Sequence, residues 1–414
     1  MKYVMIFHAN LNYAYLLPER YEHVIRCSYE MIIDTWREHF PDQKYCFEAS
    51  GYTLQQMADL TPDVVEKLKD AIDRGQCEFM GSPYAHLMMA NFPEDDCYWS
   101  LEFSQETYEK ILGRRVEVAW NPEFGWMHYV PDAFKRAGFK YSVLDFESFS
   151  VSSRPEIRAV EYNPVKVNSH GLNLPWYELP GDEPALHFPF KDVVPGLDGF
   201  ARTDRLSQIG LRYFIGEEKF DDYYERIKKF SKGDGGVIIY SDDAEYLGTR
   251  GWFDVKYNDR PASDKGGNEE TGLFKHEPTS RQRLIAVVQA CMDLDGEFVT
   301  VKDLCTSLPH LKEKYYVEDQ MAWHRTWATA WASTPNSRRL EPICDEIREK
   351  IKRAEKQAAT EEEKSKIRQA WFHLTCGENT DGRWPPPPGK PHEFNLNFCE
   401  EHLKKAKEAL EWVK

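Results

Sequence analysis

The stretch "VEVAWNPEFGWMHYVPDAFKRAGFKYSVLDFE", residues 116–147, decides the fold. It holds an apolar run at 116–122, a short connection, a helical pattern from Val130, a glycine at 138 and a second apolar run at 141–147. This is strand, helix, strand, and repeated units of this kind build a parallel sheet with helices outside. The same stretch poses a chemical question. Glu123 follows the first strand directly, amid Val118, Ala119, Trp120, Pro122, Phe124 and Trp126. An acid is costly to bury without a partner. In parallel α/β folds, however, reactive groups gather at the carboxyl ends of strands, which is where Glu123 stands.

Outward from this unit the grammar repeats. Further strand candidates are 3–9, 44–50, 77–83, 236–242 and 298–301, several of them continuous apolar runs suited to strands buried on both faces. The helix at 61–75 has Thr61 as its cap, Pro62 in the first turn and Gly75 just past its end. Six or seven such units between residue 3 and about 305 predict a barrel-like closure rather than a doubly wound sheet. Residues 251–280 are rich in Gly, Asp and Asn and read as a long loop near the cleft. From about 311 the chain reads as helical, starting with "EDQMAWHRTWATAWAS" (318–333). The expected division is a barrel over 1–310 and a helical bundle over 311–414. "GRWPPPPGKP" (382–391) is a stiff connector between two of the bundle's helices.

Composition narrows the function. The 414 residues carry a net charge of −16, which excludes nucleic acid and anionic membranes as natural partners. No run of apolar residues reaches membrane-spanning length, so no membrane partner is expected. The nine cysteines include no CxxC pair, which argues against a disulfide framework and against a finger-type zinc site. Reduced thiols and an N-terminus too short in apolar residues for a signal peptide lead to the expectation of a cytoplasmic protein without cofactor or metal. Aromatic residues make up 14%, a content that suits a large core and also sugar rings, whose C–H faces stack on aromatic planes. The sequence leaves the oligomeric state open.

The strands share a habit: they end in polar residues. His8 and Asn10 follow the first, Ser82 and His86 the third, Glu123 the fourth, and Asp242 and Asp243 follow "GVIIY". Glycosidic bond cleavage needs one carboxylate as nucleophile and one carboxylic acid as proton donor. Glu123 and Asp243 are the best-placed pair, because both follow apolar strands directly. Close like charges and partial burial would raise one pKa and keep that group protonated near neutral pH.

These segments resemble the motifs of glycoside hydrolase family 57, the α-amylase and 4-α-glucanotransferase family. "AWNPEFGW" resembles its third motif and "IIYSDDAEYLG" its fourth, with the Asp-x-Glu spacing selecting Asp243 over Asp242. The first motif, His-Gln-Pro, is partly kept as "FHAN", with His8 but Ala9 and Asn10. "GQCEFMG" (75–81), "ARTDRLSQIGLRY" (201–213) and "GENTDGRW" (377–384) match other family segments in order. The resemblance implies a distorted (β/α)7 barrel followed by a C-terminal helical bundle. It implies a retaining α-glycosidase, by hydrolysis or 4-α-glucan transfer, with Glu123 as nucleophile and Asp243 as acid/base. His8, His86, Trp120, Trp126, Arg202, Asp204, Glu245, Trp252 and Trp384 are the substrate-binding candidates, and an α-glucan or oligosaccharide the expected substrate. Arg202 and Asp204 have a second reading as a pair on a surface turn. Alternatives are an α-galactosidase specificity in the same family, a metal-dependent barrel enzyme of the polysaccharide deacetylase or zinc α-mannosidase type, and a non-catalytic glycan-binding protein. The mannosidase type needs Asp where Asn10 stands, and the deacetylase type needs a His-x-x-x-His pair that the sequence lacks.

Overall fold

The computed structural model describes residues 1–13, 16–153, 181–231, 233–249, 278–323, 326–383 and 393–413. Among the described residues, eight strands form the main path of a nine-stranded sheet: β1 (Lys2–Ala9), β2 (Tyr45–Ala49), β3 (Cys77–Gly81), β4 (Val118–Ala119), β5 (Tyr141–Asp145), β6 (Phe190–Val194), β7 (Leu197–Arg202) and β8 (Gly236–Asp243). Their order is β6-β7-β5-β4-β3-β2-β1-β8, parallel throughout except for the β6–β7 hairpin. The seam between β7 and β8 is bridged at both ends. Gly236 N–H donates to His187 O at 3.0 Å below, and Arg202 Nε donates to Ser241 Oγ at 3.0 Å above. The result is a distorted (β/α)7 barrel of seven parallel strands.

The strands' period of two sorts its side chains. Tyr3, Met5, Phe7, Tyr45 and Phe47 face the surrounding helices in one large cluster. Val4, Ile6, Cys46, Met80, Val118, Val143, Phe200 and Ile238 fill the barrel interior in another. Two residues further along, the same inward-facing positions become His8, Glu48, Ser82, Trp120, Asp145 and Arg202. An apolar plug thus carries a polar layer at the carboxyl ends of the strands, which is where barrel sites form.

Three helices, Pro335–Gln357, Glu361–Gly377 and Glu393–Ala409, form a bundle around Leu340, Ile347, Ile351, Trp371, Leu374, Leu403 and Leu410. It packs on the barrel helix Glu94–Leu112, where Trp99 stacks on Trp371 with ring centroids 6.1 Å apart. Arg348 ties the two bodies together, donating to Asp96 at 2.7 Å and to Glu378 at 2.8 Å. Among the described residues, no helix is long and apolar enough to cross a membrane.

Four local readings change. The run at 298–301 is not a barrel strand. A two-residue piece, β9 (Glu297–Phe298), wedges beside β1, and Thr300 then caps the helix Val301–Ser307. The seventh parallel strand is β7, "LDGFAR", which no apolar run announces. Its Gly199 is required because a Cβ there would collide with Leu144. Residues 318–333 are not a long helix. Met321–Ala322 (β10) pairs antiparallel with Thr326–Trp327 (β11), and among the described residues of this stretch only Thr329–Ala332 forms an α-helix. The cause is a backbone exchange with the loop after Glu123: Trp126 N–H donates to Met321 O at 2.8 Å, and Gln320 N–H to Trp126 O at 2.7 Å. Thr61 occupies the cap position, but its hydroxyl donates to Met57 O at 3.0 Å, serving the preceding helix Gly51–Leu60. Most of the 251–280 loop and most of the Pro-rich connector lie outside the described residues.

Candidate functional site

β4 ends after two residues, and the chain turns sharply through Asn121–Gly125. Glu123 (φ 54°) and Phe124 (φ 48°) are both in the left-handed region. Two consecutive non-glycine residues there are strained, and such strain collects at functional sites. The turn is held by Asn121 Nδ2 donating to Gly125 O at 2.8 Å. It is also held by Phe124, which packs edge-on against Trp120 at 4.8 Å. The conformation lifts Glu123, which is half-buried, towards the barrel mouth.

Across the mouth, the ladder between β1 and β8 registers His8 opposite Asp243. Asp243 is half-buried. Burial pushes its carboxyl well above the usual range, with Asp242, Glu245 and Glu123 adding to the rise and His8 opposing it. Glu123 is therefore near enough for its charge to act on Asp243. Asp242 is engaged elsewhere, accepting from Gln208 Nε2 at 2.7 Å and from the Asp243 N–H at 2.9 Å. Glu245 is buried beneath, accepting from the Tyr29 hydroxyl and the Asn10 N–H. Burial raises it to about 7 against the pull of His8 and these donors.

His8 stacks on Trp120 with centroids 5.2 Å apart and planes 17° apart, and its ring lies 5.2 Å from that of His86. His86, itself at φ 52°, sits with Nδ1 3.4 Å from Asp381 Oδ2. Asp381 also accepts from Asn10 Nδ2 at 3.1 Å, so the bundle contributes a carboxylate to the barrel mouth. Both ring nitrogens of His86, Asn10 Oδ1 and Ser82 Oγ are buried and lack a hydrogen-bond partner among the described residues. Buried polar atoms are normally satisfied, so this wall is suited to hydroxyl groups or water.

Arg202 and Asp204 pair with each other, but in the interior rather than on a surface turn. Asp145, Glu147 and Asp204 form a group of three buried carboxylates whose oxygens lie within 4.8 Å of one another, a spacing that a metal ion could bridge. The protein supplies its own cation there. Arg202 Nη1 reaches Asp145 Oδ1 at 3.4 Å as well as Asp204, and the guanidinium lies 4.7 Å from the Phe124 ring. Burial lifts Asp145 to about 8, with Asp204 and Glu147 adding to the rise and Arg202 opposing it. This cluster stands behind the Glu123 turn and braces it. Trp126 is half-buried against Tyr315 at 5.2 Å.

Of the sequence candidates, His8, His86, Trp120, Glu123, Asp243 and Glu245 come together at the mouth. Trp126 lies on its rim, Arg202 and Asp204 lie beneath, and Trp252 and Trp384 lie outside the described residues. Sequence reasoning passed over Glu48, Asp145 and Asp381. The first two had a signal, an acid on the inward-facing phase of an apolar strand. Asp381 lies within the quoted segment 377–384, where the neighbouring tryptophan drew attention instead.

A carboxylate-rich cleft at the carboxyl ends of a seven-stranded parallel barrel, walled partly by a helical bundle, defines the class of protein. The chain belongs to glycosyl hydrolase family 57, whose model matches residues 2–257. It is 22% identical over 255 residues to an α-amylase of Pyrococcus furiosus, covering 61% of this chain and 35% of that protein. It is 23% identical over 265 residues to a 4-alpha-glucanotransferase of Thermococcus kodakarensis, covering 61% and 35%. The chain thus spans about a third of the length of these curated relatives. Among solved structures, a family 57 branching enzyme from Thermococcus kodakaraensis superposes with a TM-score of 0.68 at 12% identity, covering 99% of this chain and 89% of that one. The 4-alpha-glucanotransferase from Thermococcus litoralis gives a TM-score of 0.65 at 16% identity, covering 99% and 60%. At these identities the structural likeness speaks for the fold alone.

Proposed function

We propose that this chain is a retaining α-glycosidase acting on α-glucans, by hydrolysis or by 4-α-glucan transfer. The observation that carries the reading is Glu123, held in a left-handed turn at the end of β4, with its charge raising the proton affinity of the half-buried Asp243 at the end of β8. Family membership and relatives named α-amylase and 4-alpha-glucanotransferase support it.

In this reading the Glu123 carboxylate attacks the anomeric carbon while Asp243 donates its proton to the departing glycosidic oxygen. The raised proton affinity of Asp243 suits an acid that must be protonated at neutral pH. Asp243, now a carboxylate, then takes a proton from water or from an acceptor sugar hydroxyl. That oxygen displaces Glu123 and restores the starting state with net retention. His86, Asn10 and Asp381 bind sugar hydroxyls, and the half-buried Trp126 on the rim offers an apolar face.

The test is incubation of the protein and Glu123→Gln with a maltooligosaccharide. The wild type is expected to yield shortened chains if water is the acceptor, or a ladder of longer and shorter chains if sugar is. Glu123→Gln is expected to lose at least about a thousandfold in turnover. An unchanged maltooligosaccharide, or a variant active within about tenfold of wild type, refutes the assignment.

A further inference from the structure

One pair beneath the cleft has no part in the chemistry above. His8 and Glu48 are register partners on neighbouring strands β1 and β2. Both face inward, and Glu48 is 0% exposed. Glu48 Oε2 meets His8 Nδ1, while Oε1 has no hydrogen-bond partner among the described residues. A carboxylate only accepts, so Nδ1 carries a hydrogen. The state of the ring then decides what Nε2 offers the cleft. In neutral imidazole it accepts a hydrogen bond, and in imidazolium it donates one.

The surroundings choose between these. Glu48 faces the ring from β2, and Asp243 and Glu245 face it from the end of β8, with Asp242 and Glu123 beyond. Tyr29 reaches this group through Glu245. On the β3 side stands His86, whose own neighbour is Asp381. The π-face of Trp120 lies parallel to the ring, an arrangement that favours a cation. Burial opposes the charge, but Glu48, Asp243 and Glu245 together outweigh it and lift His8 to about 10.

We propose that Glu48 is a positioning residue that holds His8 as an imidazolium, its Nε2–H presented to a hydroxyl of the sugar bound beside Asp243. The substrate half of this proposal rests on the α-glycosidase reading. Glu48 also fixes the ring's rotation through Nδ1, so one buried carboxylate sets both direction and donor character. Because Asp243 holds its own proton near neutral pH, removing Glu48 leaves little beyond Glu245 to oppose burial, and the ring's proton affinity falls.

The experiment is 15N NMR of the full chain labelled in its 13 histidines, with His8 assigned from the signal lost in His8→Asn. In the wild type, both His8 nitrogens are expected to keep imidazolium shifts between about pH 5 and 8. In Glu48→Gln a titration is expected inside that range. The same variant should show a KM for maltooligosaccharide that rises about tenfold or more from the acid to the alkaline end, as a charge-assisted donor is lost. Its kcat should change less, and Glu48→Asp should restore the wild-type profile. A His8 that is neutral in the wild type near pH 7, a result that does not depend on any Glu48 variant folding, overturns the proposal. So does a Glu48→Gln variant whose His8 spectrum and KM profile match those of wild type. A wild type with the expected spectrum but no turnover overturns the glycosidase reading while supporting the His8–Glu48 assignment.

Discussion

The sharpest perturbation is Glu123→Gly, because it separates a strained functional residue from a structural one by the sign of a stability change. An L-residue in the left-handed region costs about 1–2 kcal/mol, and glycine relieves this. Glycine also loses more freedom on folding, which returns about 0.5–1 kcal/mol. The Glu123 side chain is half-buried, and its charge adds to the burden on Asp243. The variant is therefore expected to be more stable than wild type by about 0.5–1 kcal/mol, a rise in melting temperature on the order of 1 °C. Turnover should fall at least about a thousandfold, equivalent to about 4 kcal/mol of barrier. The neighbouring position supplies the control. Phe124 has the same backbone (φ 48°), but its ring packs on Trp120 at 4.8 Å and under Arg202 at 4.7 Å. Phe124→Gly should lose about 3–5 kcal/mol of packing, far more than the strain it relieves. Urea unfolding of both variants reads the two signs. A Glu123→Gly protein less stable than wild type by more than about 1 kcal/mol would refute the reasoning, because Glu123 would then be holding the turn together.

Further expectations concern charge. Asp243→Asn should lose about a hundred- to ten-thousandfold on glucans but much less on a glycosyl fluoride, whose leaving group needs no protonation. It should also lose the alkaline limb of the wild-type kcat/KM profile, since that limb is the acid giving up its proton. Asp145, raised to about 8, binds its proton more tightly in the folded than in the unfolded chain. Stability should therefore fall as pH rises from about 4 towards 8, and Asp145→Asn should flatten the melting temperature over that window. An unchanged slope would remove Asp145 as the source. Arg383 donates to Gly377 O at 2.9 Å, Asn379 O at 3.2 Å and Glu341 at 2.9 Å, fixing the loop that carries Asp381. Arg383→Met should raise KM more than it lowers kcat, and an unaltered KM would detach that loop from substrate binding.

The barrel was legible because its strands are buried on both faces and read as apolar runs. Glu123 and Asp243 were legible because they follow such runs directly. β7 escaped for a physical reason. "LDGFAR" spends its inward positions on Phe200 and Arg202, and its glycine makes room for Leu144, so no apolar run forms. The stretch at 318–333 has helical composition, yet its backbone donors and acceptors are claimed by the Trp126 loop. Composition does not record such pairing. Glu48 and Asp145 were hidden by the same apolar runs that revealed the strands, although their phase along those runs pointed them inward. Asp381 was out of reach for a different reason: its role depends on how the bundle docks on the helix Glu94–Leu112, a contact between segments far apart in the chain.

The altered first motif takes on a definite meaning through the same alternation. Ala9 faces outward from β1 and packs in the cluster between sheet and helices, opposite Ala49. Its departure from glutamine therefore touches packing rather than the cleft. Asn10 stands at the cleft, and its two donors have separate tasks: the backbone N–H holds Glu245, and the side-chain amide holds Asp381 at 3.1 Å. One residue thus joins the acid beneath Asp243 to the acid supplied by the bundle. A proline at this position would lack the N–H and could not hold Glu245 in this way. The first strand has exchanged a rigid turn for a polar link between barrel and bundle, which ties the second body directly to the geometry of the first.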